Sequence, residues 1–340
     1  MTELSHPFDT APAPGEMWQV AEGLHWARLP LPMKLDHVNI YITDEGDSWT
    51  IIDTGLNWAK GRSALQALLD GPLSGKPVAR VIVTHHHPDH VGLAGWLMAR
   101  GAELWMPRTG WLLSRMLILD EEDAAPPEAF AFWRRAGMDP AELASREGSR
   151  PFNFADVVAP LPAGYRRLQE GEVIRLAGRD WRVRMGDGHA PEQATFWAED
   201  EALVIGSDQL LPRISPNISV HQFEPEADPL AEWFESCARL SAFATPEQLV
   251  LPGHRLPYRG LPFRLRQLAD NHTGALARLH AFLAEPRVGH ECFPVLFSRE
   301  ISADQYTLAL GETLAHLNHL WLRGDALREE VDGAWHWRRA

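Results

Sequence analysis

The stretch VIVTHHHPDHVG, residues 81–92, decides how the rest of the chain reads. An apolar run ends abruptly in His85, His86, His87, Pro88, Asp89 and His90. On an extended backbone, side chains at i and i+2 point the same way, so His85 and His87 can converge on one ion while His86 points elsewhere. The chain then bends at Pro88 and enters a helix, where Asp89 and His90 can face a second ion. Imidazole nitrogen and carboxylate oxygen are ligands that zinc accepts. A histidine run can be an accident of composition. Four potential ligands within six residues, placed where a buried strand ends, argue against accident here.

Three more candidate ligands end apolar runs further along. His189 closes RVRMGDGH, Asp208 closes ALVIGSD and His254 closes LVLPGH. Each follows a glycine at or near the end of a predicted strand, so each side chain is expected at the mouth of a sheet. Open α/β sheets place their sites at the ends of their strands. Any one of the three is weak evidence alone; together, in order, they complete a set.

HHHPDH matches the H-x-H-x-D-H signature of the metallo-β-lactamase superfamily, and His189, Asp208 and His254 match its remaining ligand positions. The resemblance spans about residues 24–258. It implies an α/β fold of the αββα sandwich type with a dinuclear site. His85, His87 and His189 would hold one metal, Asp89, His90 and His254 the other, and Asp208 would bridge them. Asp53 in IIDTG matches the early DTG of the family, where the aspartate supports the metal-bearing loop. Two divalent ions, zinc by default with iron or manganese as alternatives, would then activate a shared water, lowering its pKa from 15.7 toward about 7. Asp89 would orient that nucleophile. A bridging aspartate resembles the hydroxyacylglutathione-hydrolase-like, lactonase-like and nuclease-like branches rather than the true β-lactamases. GHAPEQ, residues 188–193, departs from the G-H-T-P-G-[HS] common among glyoxalase II enzymes, which argues against glutathione thioesters.

Around these motifs the pattern is that of an α/β sandwich. HVNIYIT, residues 37–43, alternates with Val38, Ile40 and Ile42 on one face. WTII and VARVIVT read as further strands, and helices are predicted from Trp58 to Asp70 and from about His90 to Arg100. The strand pattern then breaks into an uneven helical insertion, about 109–160, and resumes beyond it. From Leu261 the chain is mostly helical and ends in a predicted hairpin with its turn at Asp332-Gly333. These features divide the chain into a catalytic domain, 1–260, and a C-terminal domain, 261–340. The latter is similar to the winged-helix-like C-terminus of a β-lactamase-like endoribonuclease branch.

Composition narrows the function classes. The chain has 340 residues, 45% hydrophobic, and a formal charge of −14. No apolar stretch approaches the roughly 20 residues of a membrane span, and the N-terminal residues lack the marks of a signal peptide. A cytoplasmic location with no membrane partner is the expectation. Residues 261–340 hold nine arginines, no lysine and ten acidic residues, which speaks against a nucleic-acid partner. The leading expectation is a metal-dependent hydrolase of a small, hydrophobic ester, thioester or lactone. An endoribonuclease or phosphodiesterase and a metal-dependent oxidoreductase are the alternatives, and a homo-oligomer is left open. The hydrophobic preference rests on the insertion, whose Trp111, Leu112, Met116, Leu119, Phe130 and Trp133 either pack as scaffolding or roof the cleft. Tyr258 reads either as a cleft hydroxyl or as core. His272, His280, His316 and His319 read as packing or surface residues with no carboxylate partner.

Overall fold

The computed structural model describes residues 3–340. Seven strands form one sheet in chain order: β1 (Met17–Ala21), β2 (Leu24–Pro30), β3 (His37–Asp44), β4 (Trp49–Ile52), β5 (Val78–Ile82), β6 (Glu103–Pro107) and β7 (Arg166–Leu168). The joins are antiparallel up to β4 and parallel beyond it. A second sheet has the order β12-β11-β10-β9-β8, from β8 (Val173–Leu176), β9 (Arg179–Gly186), β10 (Gln193–Ala198), β11 (Leu203–Ser207) and β12 (Leu249–Pro252). Its one parallel join lies between β11 and β12.

The helices are α1 (Ala59–Asp70), α2 (Pro88–Val91), α3 (Ala94–Met98), α4 (Arg108–Leu119), α5 (Pro127–Arg135), α6 (Pro140–Ser145), α7 (Pro229–Ser241), α8 (Leu261–Phe282), α9 (Phe293–Leu296) and α10 (Tyr306–Leu322). The chain ends in an antiparallel hairpin, β13 (Ala326–Val331) and β14 (Ala334–Arg339). Asp332 and Gly333 both have positive φ, 51° and 79°. That pairing is the two-residue turn whose twist suits a hairpin, as the sequence predicts.

Strand alternation explains the layers. Val38, Ile40 and Ile42 of β3 join Ile51 and Val81 in a cluster completed by Leu65 and Leu68 of α1 and Leu97 of α3. On the opposite face, Tyr41, Ile52 and Ile82 pack against Trp181, Val183, Phe196, Ile205 and Leu251 of the second sheet. The first sheet is therefore buried on both sides, by helices on one and by a sheet on the other. Each such side chain contributes about 1.5–3 kcal/mol.

The helix expected over His90–Arg100 is instead two short ones, α2 and α3. Thr54 Oγ1 accepts the Leu93 N–H at 3.0 Å, and the Gly92 carbonyl accepts from Ala159 at 2.7 Å. A Cβ at Gly92 would stand 2.4 Å from the Gly55 carbonyl oxygen. The loop after β4 and the segment before β7 take over hydrogen bonds that a continuous helix needs.

The chain forms two compact units. One holds residues up to Glu121, Asn153–Pro216 and Leu240–Leu265; the other holds Glu122–Phe152, Asn217–Arg239 and Arg266–Ala340. The insertion is thereby shared out. Helix α4 stays with the sheets, where Trp111 stacks on Tyr165 at 4.6 Å and packs with Leu117 and Ile118 on the core. Helices α5 and α6 group with the C-terminal helices: the Gly137 carbonyl accepts from His290 N–H at 3.0 Å, and the Tyr306 hydroxyl accepts from Asp139 N–H at 3.0 Å.

The second unit also corrects the reading of its histidines. Asp228 lies 3.0 Å from His319 Nδ1, a carboxylate partner 91 residues upstream. His316 Nδ1 donates to the Glu312 carbonyl at 2.8 Å, which leaves its Nε2 to accept from His272 Nδ1 at 3.2 Å. Both rings of that pair are neutral. Burial lowers the pKa of His272 to about 3 and that of His316 to about 4. The unfolded chain therefore binds protons that the folded one refuses, so stability falls as pH drops below about 6.5 and levels off only near 3, once pH has passed both folded values. Thermal unfolding at pH 7 and pH 5 should show this as a loss of roughly 1–2 kcal/mol per histidine. A His272→Leu/His316→Leu variant should lose markedly less over the same range.

Candidate metal centre

Strand ends bring all seven predicted ligands together. The chain leaves β5 through Thr84 and places His85 and His87 with His189, from the loop after β9, in one group. His85, His90 and Asp208 form a second group, and Asp89, His90 and His254 a third, each with its ligand atoms within 4.8 Å of one another. His86, also buried, belongs to none of them. His86 is set apart as expected, but by a bend at His85 and His86 beyond the end of β5 and not by strand alternation.

The distances are those of ligands around a cation. His87 Nδ1 lies 3.1 Å from His85 Nε2 and 3.0 Å from His189 Nε2. A tetrahedral zinc with Zn–N bonds of about 2.0–2.1 Å sets its ligand atoms about 3.3 Å apart. His254 Nε2 is 3.3 Å from both Asp89 Oδ2 and Asp208 Oδ2, and His90 Nε2 is 3.4 Å from Asp208 Oδ1. Asp208 Oδ2 is also 3.5 Å from His189 Nε2, so this carboxylate reaches both sides of the cluster.

Hydrogen bonds at the backs of the rings aim the lone pairs inward. His254 Nδ1 donates to the His37 carbonyl at 2.8 Å, and His90 Nδ1 donates to Asp53 Oδ2 at 2.8 Å. Both therefore present Nε2 to the cluster. His90 Nε2 and Asp208 Oδ1 are buried with no hydrogen-bond partner. A nitrogen lone pair and a carboxylate oxygen left without hydrogen-bond donors, 3.4 Å apart, suit a shared cation. Gly253 makes the room: a Cβ there would stand 2.1 Å from Asp208 Oδ1.

The titration directions agree. Burial works to lower His254, but Asp208 and Asp89 overcome it and push the ring up to about 10. His90 is likewise raised, against burial, by Asp208, Asp53 and Asp89. His85 and His87 go the other way, lowered by burial and by their imidazole neighbours. One side of the cluster is rich in carboxylate and attracts positive charge; on the other, burial keeps His85 and His87 neutral and ready to coordinate.

Comparison with known proteins follows this geometry. The family model described as the metallo-beta-lactamase superfamily matches residues 33–279. The chain belongs to this superfamily. A second model, the metallo-beta-lactamase-like C-terminal domain, matches residues 276–340. A beta-lactamase domain protein from Burkholderia ambifaria is similar at 39% identity and a TM-score of 0.90, over 99% of this chain and 98% of that one. A metallo-beta-lactamase family protein from Thermus thermophilus shows 27% identity and a TM-score of 0.79, over 95% and 100%. A protein of Bacillus subtilis named a probable metallo-hydrolase is 25% identical over 86% of this chain and 90% of its own length. The protein is a hydrolase of the metallo-β-lactamase superfamily, and its His/Asp cluster suits divalent metal.

Most of the residues that hold this metallo-hydrolase cluster in place have no signature in the sequence. Asp53 has the supporting role that the resemblance implies, and it does more than hold His90: it accepts from the Thr84 N–H at 2.8 Å and the Thr84 hydroxyl at 2.9 Å. Thr84 and His37 carry no signal, because each acts through a backbone group or a distant neighbour, while Gln193 and Gly253 stand in stretches the sequence singles out but have roles that depend on the fold. Tyr258 is core: fully buried, its hydroxyl donates to the Leu210 carbonyl at 3.2 Å. Among the described residues no helix is long and apolar enough to cross a membrane. Replacing Asp53 frees His90 to rotate without touching a ligand atom. Asp53→Asn should weaken Zn²⁺ affinity by about 10–100-fold in chelator competition, with an unchanged far-UV circular dichroism spectrum.

Proposed function

We propose that the cluster holds two divalent ions, zinc in the first instance, and hydrolyses a small ester, thioester or lactone with an apolar acyl group. One ion would be held by His85, His87 and His189, the other by Asp89, His90 and His254, with Asp208 shared between them. The observation that carries this reading is the two-sided reach of Asp208, within 3.5 Å of His189 and 3.3 Å of His254. When bound, such ions lower the pKa of water and polarise a carbonyl oxygen.

The chain's own residues divide the remaining work. His90 and His254 are locked by Asp53 and the His37 carbonyl, so they bind without reorganising. The Asp89 side chain is 19% exposed against 8% for Asp208, so Asp89 is the cluster carboxylate open to an incoming water. Its role is to accept a hydrogen bond from the nucleophile and orient it. The acidic balance of residues 261–340 supports a small substrate over a polyanionic one.

Helix α4 supports the apolar preference. It starts beside the ligand loop, where Gly110 lies against the backbone of His85 and His86. Leu112, Met116 and Leu119 then run along one exposed face at helical spacing. Trp111, by contrast, is engaged with Tyr165 and is scaffolding.

Two measurements test these statements. Asp208→Ala should lose at least one of two bound ions by metal analysis and nearly all turnover; retained dinuclear occupancy would sink the bridge. Across a series of acyl esters of increasing chain length, kcat/KM should rise with length in the wild type. That slope should flatten in a Leu112→Ala/Met116→Ala variant that keeps its activity on the shortest ester. A slope equal in both proteins would remove α4 from substrate binding.

A further inference from the structure

The loop between β9 and β10 carries His189 and ends on Glu192. Glu192 has φ of 53°, in the left-handed region that glycine enters freely and a glutamate rarely does. It stands where the resembling G-H-T-P-G pattern has its second glycine, so this chain places a strained residue where an unstrained one would serve the turn.

The side chain shows what the strain secures. Oε2 accepts the Thr109 N–H at 2.6 Å, in the first turn of α4. That amide is among those a helix leaves without an internal partner, and a carboxylate is favoured there by the helix dipole. Oε1 lies 3.5 Å from Arg167 Nη2 on β7. The Glu192 N–H donates to Asp187 Oδ1 at 2.8 Å, closing the loop on itself around His189.

The two residues that follow extend the same joint. With its amide oxygen turned toward the end of β11, Gln193 accepts from the N–H groups of Asp208 and Gln209 at 2.9 and 3.0 Å. Ala194 donates to the Thr84 carbonyl at 2.9 Å, one residue before His85. Residues 192–194 thus connect the His189 loop to α4 and β7, to Asp208 and to the strand end that bears His85.

We infer that Glu192 is a positioning residue for His189: its carboxylate clamps the ligand loop to α4 and β7, and the left-handed turn is kept because glycine would cut the clamp. This rests on the reading of His189 as a metal ligand. A glycine here relieves the backbone and removes both tethers, whereas glutamine keeps an acceptor for Thr109.

The test uses the full-length protein with Glu192→Gly, Glu192→Ala and Glu192→Gln. Zn²⁺ affinity is read by chelator competition, and the visible spectrum of the Co²⁺-loaded protein reports ligand geometry. Gly and Ala should each weaken Zn²⁺ binding by about tenfold or more and alter the Co²⁺ bands, as loss of an outer-shell partner does. Gln should restore most of the affinity and the wild-type bands. Wild-type affinity and an unchanged Co²⁺ spectrum in Glu192→Gly would overturn the proposal, as would a Gln variant no better than Ala. A wild-type protein that binds neither Zn²⁺ nor Co²⁺ would instead refute the metal reading of His189. Should Ala fail to fold, Gly and Gln still decide the matter.

Discussion

Gathering imidazoles and carboxylates at one edge of a dry sandwich is the constraint on which this structure turns. His85, His90, His254 and Asp208 are almost wholly buried, and a buried charge without compensation costs several kcal/mol. Each is accordingly given a partner behind it. Thr84 Oγ1 meets His85 Nδ1 at 3.0 Å, Asp53 takes His90, the His37 carbonyl takes His254, and Gln193 takes the backbone of Asp208. What these partners leave unmet points inward, where it suits a divalent cation.

Holding that edge strains the backbone. Among the described residues six non-glycines have positive φ, and four of them, Asp53, Glu192, Ser207 and Arg255, lie in the segments that bear or brace the ligands. Such residues cost on the order of 1–3 kcal/mol each and persist only where the surroundings over-determine them. Here the surroundings are the two apolar layers around the first sheet. The same burial that stabilises the sandwich offsets the strain at its rim, and a rigid rim is what a preorganised metal site requires.

The helical region follows the same rule with different chemistry. Its interior contains His272, His316 and His319, each buried and each given a partner from another segment of the same unit. His272 and His316 satisfy each other there as neutral rings, whereas at the metal cluster the carboxylates around His90 and His254 favour positive charge on those two rings. Burial is common to both places. For the His272–His316 pair and for His90 and His254, the carboxylates within reach decide the charge state.

Local pattern carried much of this. The alternation in β3, the strand-end ligands and the Asp332-Gly333 turn depend on neighbours one to four residues away, so they were legible in the chain itself. The spacing of two picks out His85 and His87, although the two meet in a bend beyond β5, which ends at Ile82, and not on an extended strand. The structure differed wherever a hydrogen bond crossed a long stretch of chain. The helix after His90 breaks because Thr54 and Ala159 claim its backbone groups, and Asp228 reaches His319 across 91 residues. Glu192 tells the same story: in sequence it is only a departure from a motif, and its meaning lies in Thr109 and Arg167, which the fold alone brings beside it. Residue type and spacing determined which atoms can bind a metal. Only the packed sandwich decided which partners hold those atoms still, because such partners are selected by proximity in space, and burial sets the cost of lacking one.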